Sequence, residues 1–220
     1  LALVGAGGNG VGAYSFSLDD TGSAGCSVSG STLTYTHAGT CTVTVTRAAD
    51  VNYLVRSDTV TVTVAQSAQL VTFSSGNGTS DTSTYGAGTY NLSASTSGDG
   101  SKSYATSSAA CTINGSGVIS ILSAGPCAVT VTAASTTDYL QGSASFTLTI
   151  NPKNITVTAK GDTYTYGDAV HGDKGYVSVG LVGSDALSSI SCSTSYNSTS
   201  AVTVTPYTRC SQTEGANSNY

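Results

Sequence analysis

The chain has 220 residues, a net charge of −5 and a pI near 4.6, with only 9% charged residues and neither Met nor Trp. Seven scattered Lys and Arg cannot line the cationic groove that a phosphate backbone needs, which excludes nucleic acid as a partner. No apolar run reaches the ~20 residues of a membrane span, and Ser and Thr, about a third of the chain, are too regularly mixed with Val, Ala, Leu and Tyr for a disordered linker.

Read from the N-terminus, the chain opens in mid-pattern at LALVG with no visible signal peptide, so its true start is expected upstream. GAGGNG (5–10) lacks the helix and the Lys-Ser/Thr of a phosphate-binding loop and reads as a flexible hairpin. SGS (29–31) and THAGT (36–40) read as hairpin turns, with His37 on the surface. Then come CTVTVT (41–46) and TVTVTV (59–64), in which apolar residues alternate with Thr. That period places Val43 and Val45 on one face and Thr42, Thr44 and Thr46 on the other, as in a half-buried strand. LVTF (70–73), CAVTVT (127–132), FTLTI (146–150), ITVT (155–158) and AVTVT (201–205) continue the pattern, and both Val and Thr suit a pleated surface. Gly, Ser and Asn clusters punctuate these runs and no segment has helical periodicity. The expected fold class is an all-β chain of serial antiparallel sandwiches.

The runs repeat. The segment from Cys41, CTVTVTRAADVNYLVRSDTVTVTVA, aligns without a gap on the one from Cys127, CAVTVTAASTTDYLQGSASFTLTIN, at an offset of 86 residues. A Tyr follows Asn or Asp at the same place in each (Tyr53, Tyr139), and a looser third copy ends on Asn219-Tyr220. These are read as corner tyrosines, packed beside the cysteines with hydroxyls bonded to nearby backbone. Six cysteines lie at Cys26, Cys41, Cys111, Cys127, Cys192 and Cys210, with no C-x-x-C spacing for zinc or thioredoxin chemistry. They read as three disulfides of an oxidising compartment. Six cysteines allow about 15 pairings; one Cys pair per repeat selects the sequential one.

One stretch gathers ionisable groups: Asp162, Tyr164, Tyr166, Asp168, His171 and Asp173 in GDTYTYGDAVHGD (161–173). Its core, DTYTYG, matches DTSTYG (81–86), so the shared D-T-x-T-Y-G is read as framework. Tyr85 and Tyr166 are expected to pack into their cores, with Gly86 and Gly167 making the following turn. A calcium loop would want denser D-x-D alternation, and Ala87 replaces Asp168 in the other copy. No Ser lies in a G-x-S-x-G elbow, GSG (115–117) is a hairpin turn, and Glu214 is the only glutamate. No catalytic, cofactor-binding or metal residue is therefore expected, and the chain is not read as an enzyme. Five N-x-S/T sequons, at Asn77, Asn91, Asn114, Asn154 and Asn197, are near what chance gives in so Ser/Thr-rich a chain and decide nothing.

NPKNITVTAKGDTYTYGDAV resembles the start of an MBG-type (YGX) repeat, whose signature is a strand followed by a Tyr-Gly pair. CSVSGSTLTYTHAGTCTVTVT and the Asn-Tyr or Asp-Tyr corner resemble the tandem Ig-like repeats of large secreted bacterial surface proteins. The resemblance implies Ig-like sandwiches with one disulfide each: residues 1–66 lacking the first strand or strands, 67–151 complete, and 152–220 of MBG type lacking the last strand. The ragged ends read as a window from a longer array, or as places where neighbouring chains supply the missing strands. The implied function is an extracellular stalk, spacer or filament shaft, with neighbouring repeats or copies of itself as partners. The alternative is a carbohydrate- or partner-binding module of an adhesin, in which some of the thirteen Tyr offer a platform for surface glycans.

Overall fold

The computed structural model describes residues 1–74, 76, 78–161, 163, 165–169, 175–187, 190–199, 208–212 and 218–220. Every regular element among them is a β-strand. By their contacts they fall into two compact units: Leu1–Thr72 with Ala94–Ser103 and Val131–Ala144, and Phe73–Ser93 with Tyr104–Thr130 and Ser145–Tyr220.

The first unit contains the first repeat, with strands β1 (Tyr14–Asp20), β2 (Ser27–Ser29), β3 (Thr32–Thr34), β4 (Gly39–Arg47) and β5 (Arg56–Val64). β1, β4 and β5 form one antiparallel sheet in that order, and β2 and β3 a hairpin. The alternation read from the sequence sets the faces: Cys41 and Val43 point into a core with Ala24, Cys26 and Leu33. Leu3, Phe16, Leu18, Val28, Val62 and Val64 close around it. The opening residues join the hairpin, since Leu33 N–H donates to the Leu1 carbonyl at 2.9 Å and Leu3 N–H to that of Ser31 at 2.8 Å.

The second repeat supplies β6 (Val71–Phe73), β7 (Ser80–Thr84), β8 (Thr89–Asn91), β9 (Ala94–Thr96) and β10 (Lys102–Thr106). It continues through β11 (Cys111–Ile113), β12 (Val118–Ile121), β13 (Gly125–Ala133) and β14 (Gly142–Asn151). The strand orders are β10-β13-β14-β7 and β11-β12-β8, with β6 paired to β9. Within the second unit, Cys111, Ile119, Cys127, Val129, Phe146, Leu148 and Ile150 are each at most 1% exposed. The Phe146 ring meets Phe73 at 5.3 Å and Tyr90 at 6.0 Å, so β14, β6 and β8 share one apolar interior. Burial of a side chain the size of Phe146 contributes roughly 1.5–3 kcal/mol. One pair departs from the expected antiparallel rule: β7 runs parallel to β14.

In the third repeat β15 (Thr156–Ala159) pairs with β16 (Tyr176–Val179), and β17 (Ile190–Thr194) with β18 (Thr208–Gln212). The cysteines form the sequential disulfides Cys26–Cys41, Cys111–Cys127 and Cys192–Cys210. The third differs in kind, because Cys192 and Cys210 are directly opposed across β17 and β18 and their Cα atoms are 4.0 Å apart. The chain is thus an all-β array of sandwich repeats with one disulfide in each.

Candidate functional site

The corner loops of the first two repeats are preset by their own polar side chains. In the first, Asp50 Oδ1 accepts the N–H groups of Asn52 and Tyr53 at 2.8 and 2.9 Å, and Asp50 N–H donates to the Tyr53 carbonyl at 2.9 Å. These amides, Asn52 foremost, hold the Asp50 carboxyl below the usual carboxylate range. In the second, Thr136 does the same work: its hydroxyl accepts Tyr139 N–H at 3.3 Å and its N–H donates to the Tyr139 carbonyl at 2.9 Å. A capped loop of this kind holds the residue before the Tyr, Asn52 or Asp138, in a fixed orientation.

That residue makes a joint, and the joint occurs twice with the same atoms. In the first unit, Asp138 Oδ1 accepts Ala38 N–H at 2.7 Å while the Asp138 carbonyl accepts Ser67 N–H at 2.8 Å. In the second unit, Asn219 Oδ1 accepts Ala124 N–H at 2.7 Å while the Asn219 carbonyl accepts Lys153 N–H at 2.8 Å. Ala124 and Lys153 lie 86 residues beyond Ala38 and Ser67, the repeat offset itself. Each Ala opens an Ala-Gly turn, three positions before the strand cysteine in Thr40-Cys41 and Pro126-Cys127. The joints differ in charge. His37 Nδ1 lies 3.1 Å from Asp138 Oδ2 in the first, whereas the second has neutral Ser123 and Asn219 at the same positions. The His37 hydrogen bond, then the Ala38 amide, lowers the Asp138 pKa. A cavity of about 270 Å³, lined by His37, Ala38, Val64, Ala65, Asp138 and Tyr139 among others, adjoins this joint.

The second unit adds an aromatic cluster. Tyr85 and Tyr220 both donate their hydroxyls to Asp185 Oδ2, at 2.8 and 2.6 Å, and their rings meet edge to face at 5.6 Å. Tyr220 Oη also accepts Val182 N–H at 2.8 Å. The two hydroxyls, Tyr220 first, lower the Asp185 pKa. Asp185 in turn raises that of Tyr85, and burial raises that of Tyr220. Asp81, the first residue of D-T-x-T-Y-G, accepts the Tyr90 hydroxyl at 2.8 Å, which lowers its own pKa.

The sequence-derived tyrosines thus separate. Tyr220 has the backbone partner expected of a corner tyrosine, and Tyr139 is half-buried. Tyr53 is 48% exposed. Tyr85 lies half-buried at the Asp185 cluster, while Tyr166, expected in a core, is 66% exposed. Gly86 and Gly167 do make the turn: their φ values are +86° and +88°, and Ala87 N–H to Thr84 and Asp168 N–H to Thr165 both span 3.0 Å. Asp168 is used locally, its Oδ2 accepting Thr165 N–H at 2.8 Å, and the buried Tyr196 donates to the Thr165 carbonyl at 3.0 Å. Asp162, Tyr164, His171, Asp173, Glu214 and Asn77 lie outside the described residues. Among the described residues no three His, Cys, Asp or Glu side chains gather as metal ligands, and no helix is long and apolar enough to cross a membrane.

Sequence reasoning missed Gln69. It is 5% exposed, donates to the carbonyls of Ala134 and Leu140 at 2.7 and 2.8 Å, and accepts the Thr96 hydroxyl at 2.9 Å. It ties the corner loop of the second repeat to the residues leading into β6. A lone Gln before an apolar run carries no signal of that role; Asp185, in a Gly-Ser-Asp stretch, carries none either.

The chain matches no protein-family model and no curated relative. Among solved structures it is similar to Drosophila N-cadherin EC1-4, at 10% identity and a TM-score of 0.32, over 86% of this chain and 55% of that one. It is also similar to two pieces of the surface layer protein SbsC. Domains 1-6 align at 15% identity and a TM-score of 0.30, over 90% of this chain and 28% of that one. Domains 4-9 align at 13% identity and 0.31, over 92% and 35%. The chain spans about half the length of the cadherin chain and about a third of each SbsC chain.

Proposed function

We propose that this chain is a structural segment, a stalk, spacer or filament shaft, of a secreted bacterial surface protein, and that it has no catalytic role. The observation that carries the proposal is the joint made twice with equivalent atoms, by Asp138 on Ala38 and Ser67 and by Asn219 on Ala124 and Lys153. A serial array must set each repeat against the next in a reproducible way, and main-chain N–H donors do this whatever the neighbouring side chains are. The low charge and Thr-lined strands suit an inert surface. The three disulfides support an oxidising, extracellular setting. The residues 1–66, 67–151 and 152–220 are the serial repeats of this segment, and in the filament form of the function chains join by exchange of strands. Electron microscopy of the native material tests the proposal. Fibres or long arrays are expected; native protein found only as single, monodisperse monomers overturns it.

A further inference from the structure

We propose that Tyr85 and Tyr220 form a site of oxidative crosslinking, at which a haem peroxidase and hydrogen peroxide join the two rings by a carbon–carbon bond. The bond ties the second repeat to the third, a modification that goes beyond the spacer function and does not depend on it.

The composition directs oxidation to tyrosine. The chain has no Met and no Trp, and none of its cysteines is free, so the usual sinks for an oxidant are absent. Thirteen tyrosines remain. Among the described residues, Tyr85 and Tyr220 are the one pair of tyrosines whose rings meet, edge to face at 5.6 Å. Each is held within its own repeat. Tyr85 N–H donates to the Asn151 carbonyl at 2.9 Å, and Tyr220 Oη accepts Val182 N–H at 2.8 Å. Both rings are half-buried, which admits a small oxidant and disfavours coupling to another chain. Tyr35, Tyr53 and Tyr166 are more exposed but meet no other tyrosine ring among the described residues.

Asp185 supplies the base. Tyr85 and Tyr220 donate their hydroxyls to the same oxygen, Oδ2, at 2.8 and 2.6 Å, within reach of direct proton transfer. At rest the phenols keep their protons, since the bond to Asp185 raises the Tyr85 pKa and burial raises that of Tyr220. Removal of an electron from a ring makes its hydroxyl strongly acidic, and the proton then passes to Asp185 and on to water. Two such losses leave two phenoxyl radicals at one carboxylate oxygen. A turn of one ring brings together the carbons ortho to oxygen, and the radicals join there. The hydrogen on each joined carbon moves to that ring's oxygen, restoring both phenols. Two electrons and two protons leave in all, and one hydrogen peroxide takes them up to become two molecules of water. Because both rings are held in place, coupling within the chain outruns collisions between chains.

Peroxidase treatment of the dilute full chain, read by dityrosine fluorescence, intact mass and peptide mapping, tests this. The expected product is a monomer lighter by two hydrogens, with one crosslink that maps to Tyr85 and Tyr220. Tyr85→Phe and Tyr220→Phe should each abolish that species, whereas Tyr53→Phe should leave its yield unchanged. Asp185→Asn keeps an acceptor for the hydroxyls but no base, and should slow the crosslink by about a hundredfold, the low end of what a positioned base contributes. Crosslinks scattered over other tyrosines, dimers without the internal bond, or a folded Asp185→Asn chain that reacts at the wild-type rate overturns the proposal. The map on the wild-type chain decides even where a variant fails to fold. A negative map would still leave the spacer reading intact, since that is decided by microscopy of the native material.

Discussion

Asp138 accepts the Ala38 amide on one oxygen and faces His37 Nδ1 with the other, so one carboxylate engages a main-chain group and a side chain together. Its pKa is lowered in the folded chain, which fixes the sign of its pH dependence. The stabilisation is complete above the unfolded value, about 3.9, and is lost as pH falls through the lower folded value. The part of the Ala38 amide shift that depends on Asp138 should therefore appear only in strong acid. Asp138→Asn keeps an oxygen acceptor, as Asn219 does naturally, and should abolish that acid shift while preserving the slow exchange of the Ala38 amide. Asp138→Ala should lose the protection at every pH; protection retained in this variant would show that the joint does not depend on the side chain. Gln69 is a different case because it is buried. Gln69→Leu removes the Gln69 donor from two carbonyls and the acceptor of the Thr96 hydroxyl proton, and should cost on the order of 2–3 kcal/mol in chemical denaturation.

β5 and β14 occupy the same place in their repeats, yet β14 is interior and β5 is half open to solvent. The difference lies in what packs on them. Phe73 from β6 and Tyr90 from β8 cover Phe146, and no equivalent of β6 lies over Val60 among the described residues. Phe146→Ala should cost about 3–5 kcal/mol, while Val60→Ala, at the equivalent position, should stay within about 0.5 kcal/mol. Equal losses in denaturant titrations would mean that the two edges are equally covered in solution. The strands themselves were legible, since alternation of Val with Thr fixes both the element and its inward face, and the repeat offset selected the disulfide pairing. Burial was not: TVTVTV and FTLTI have the same period, and only a strand distant in sequence separates them. The joint was half legible. The Asn-Tyr and Asp-Tyr corners stood out, but their partners are main-chain N–H groups of an Ala-Gly turn, which any residue except Pro could supply. Tyr166 was misplaced for a related reason, because a shared hexapeptide specifies its turn but not the strand that would pair with it.

Across the whole chain, three disulfides close loops with sequence separations of 15, 16 and 18 residues. In the chain-entropy account each loop of this size stabilises by about 3 kcal/mol. For a spacer the mechanical consequence is as important as the thermodynamic one. A pulled repeat can unfold its strands, but the residues inside a closed loop cannot join the extended contour. At roughly 3.3–3.6 Å per residue, reduction should lengthen the fully stretched chain by roughly 50–65 Å per repeat, in separate increments of similar size. A long-range pairing such as first with last cysteine would instead release most of the contour in one large step. Single-molecule force extension of the full chain, with and without reductant, distinguishes these outcomes. Three similar gains are expected. Unchanged contour lengths would remove the disulfides from any account of how this segment resists load.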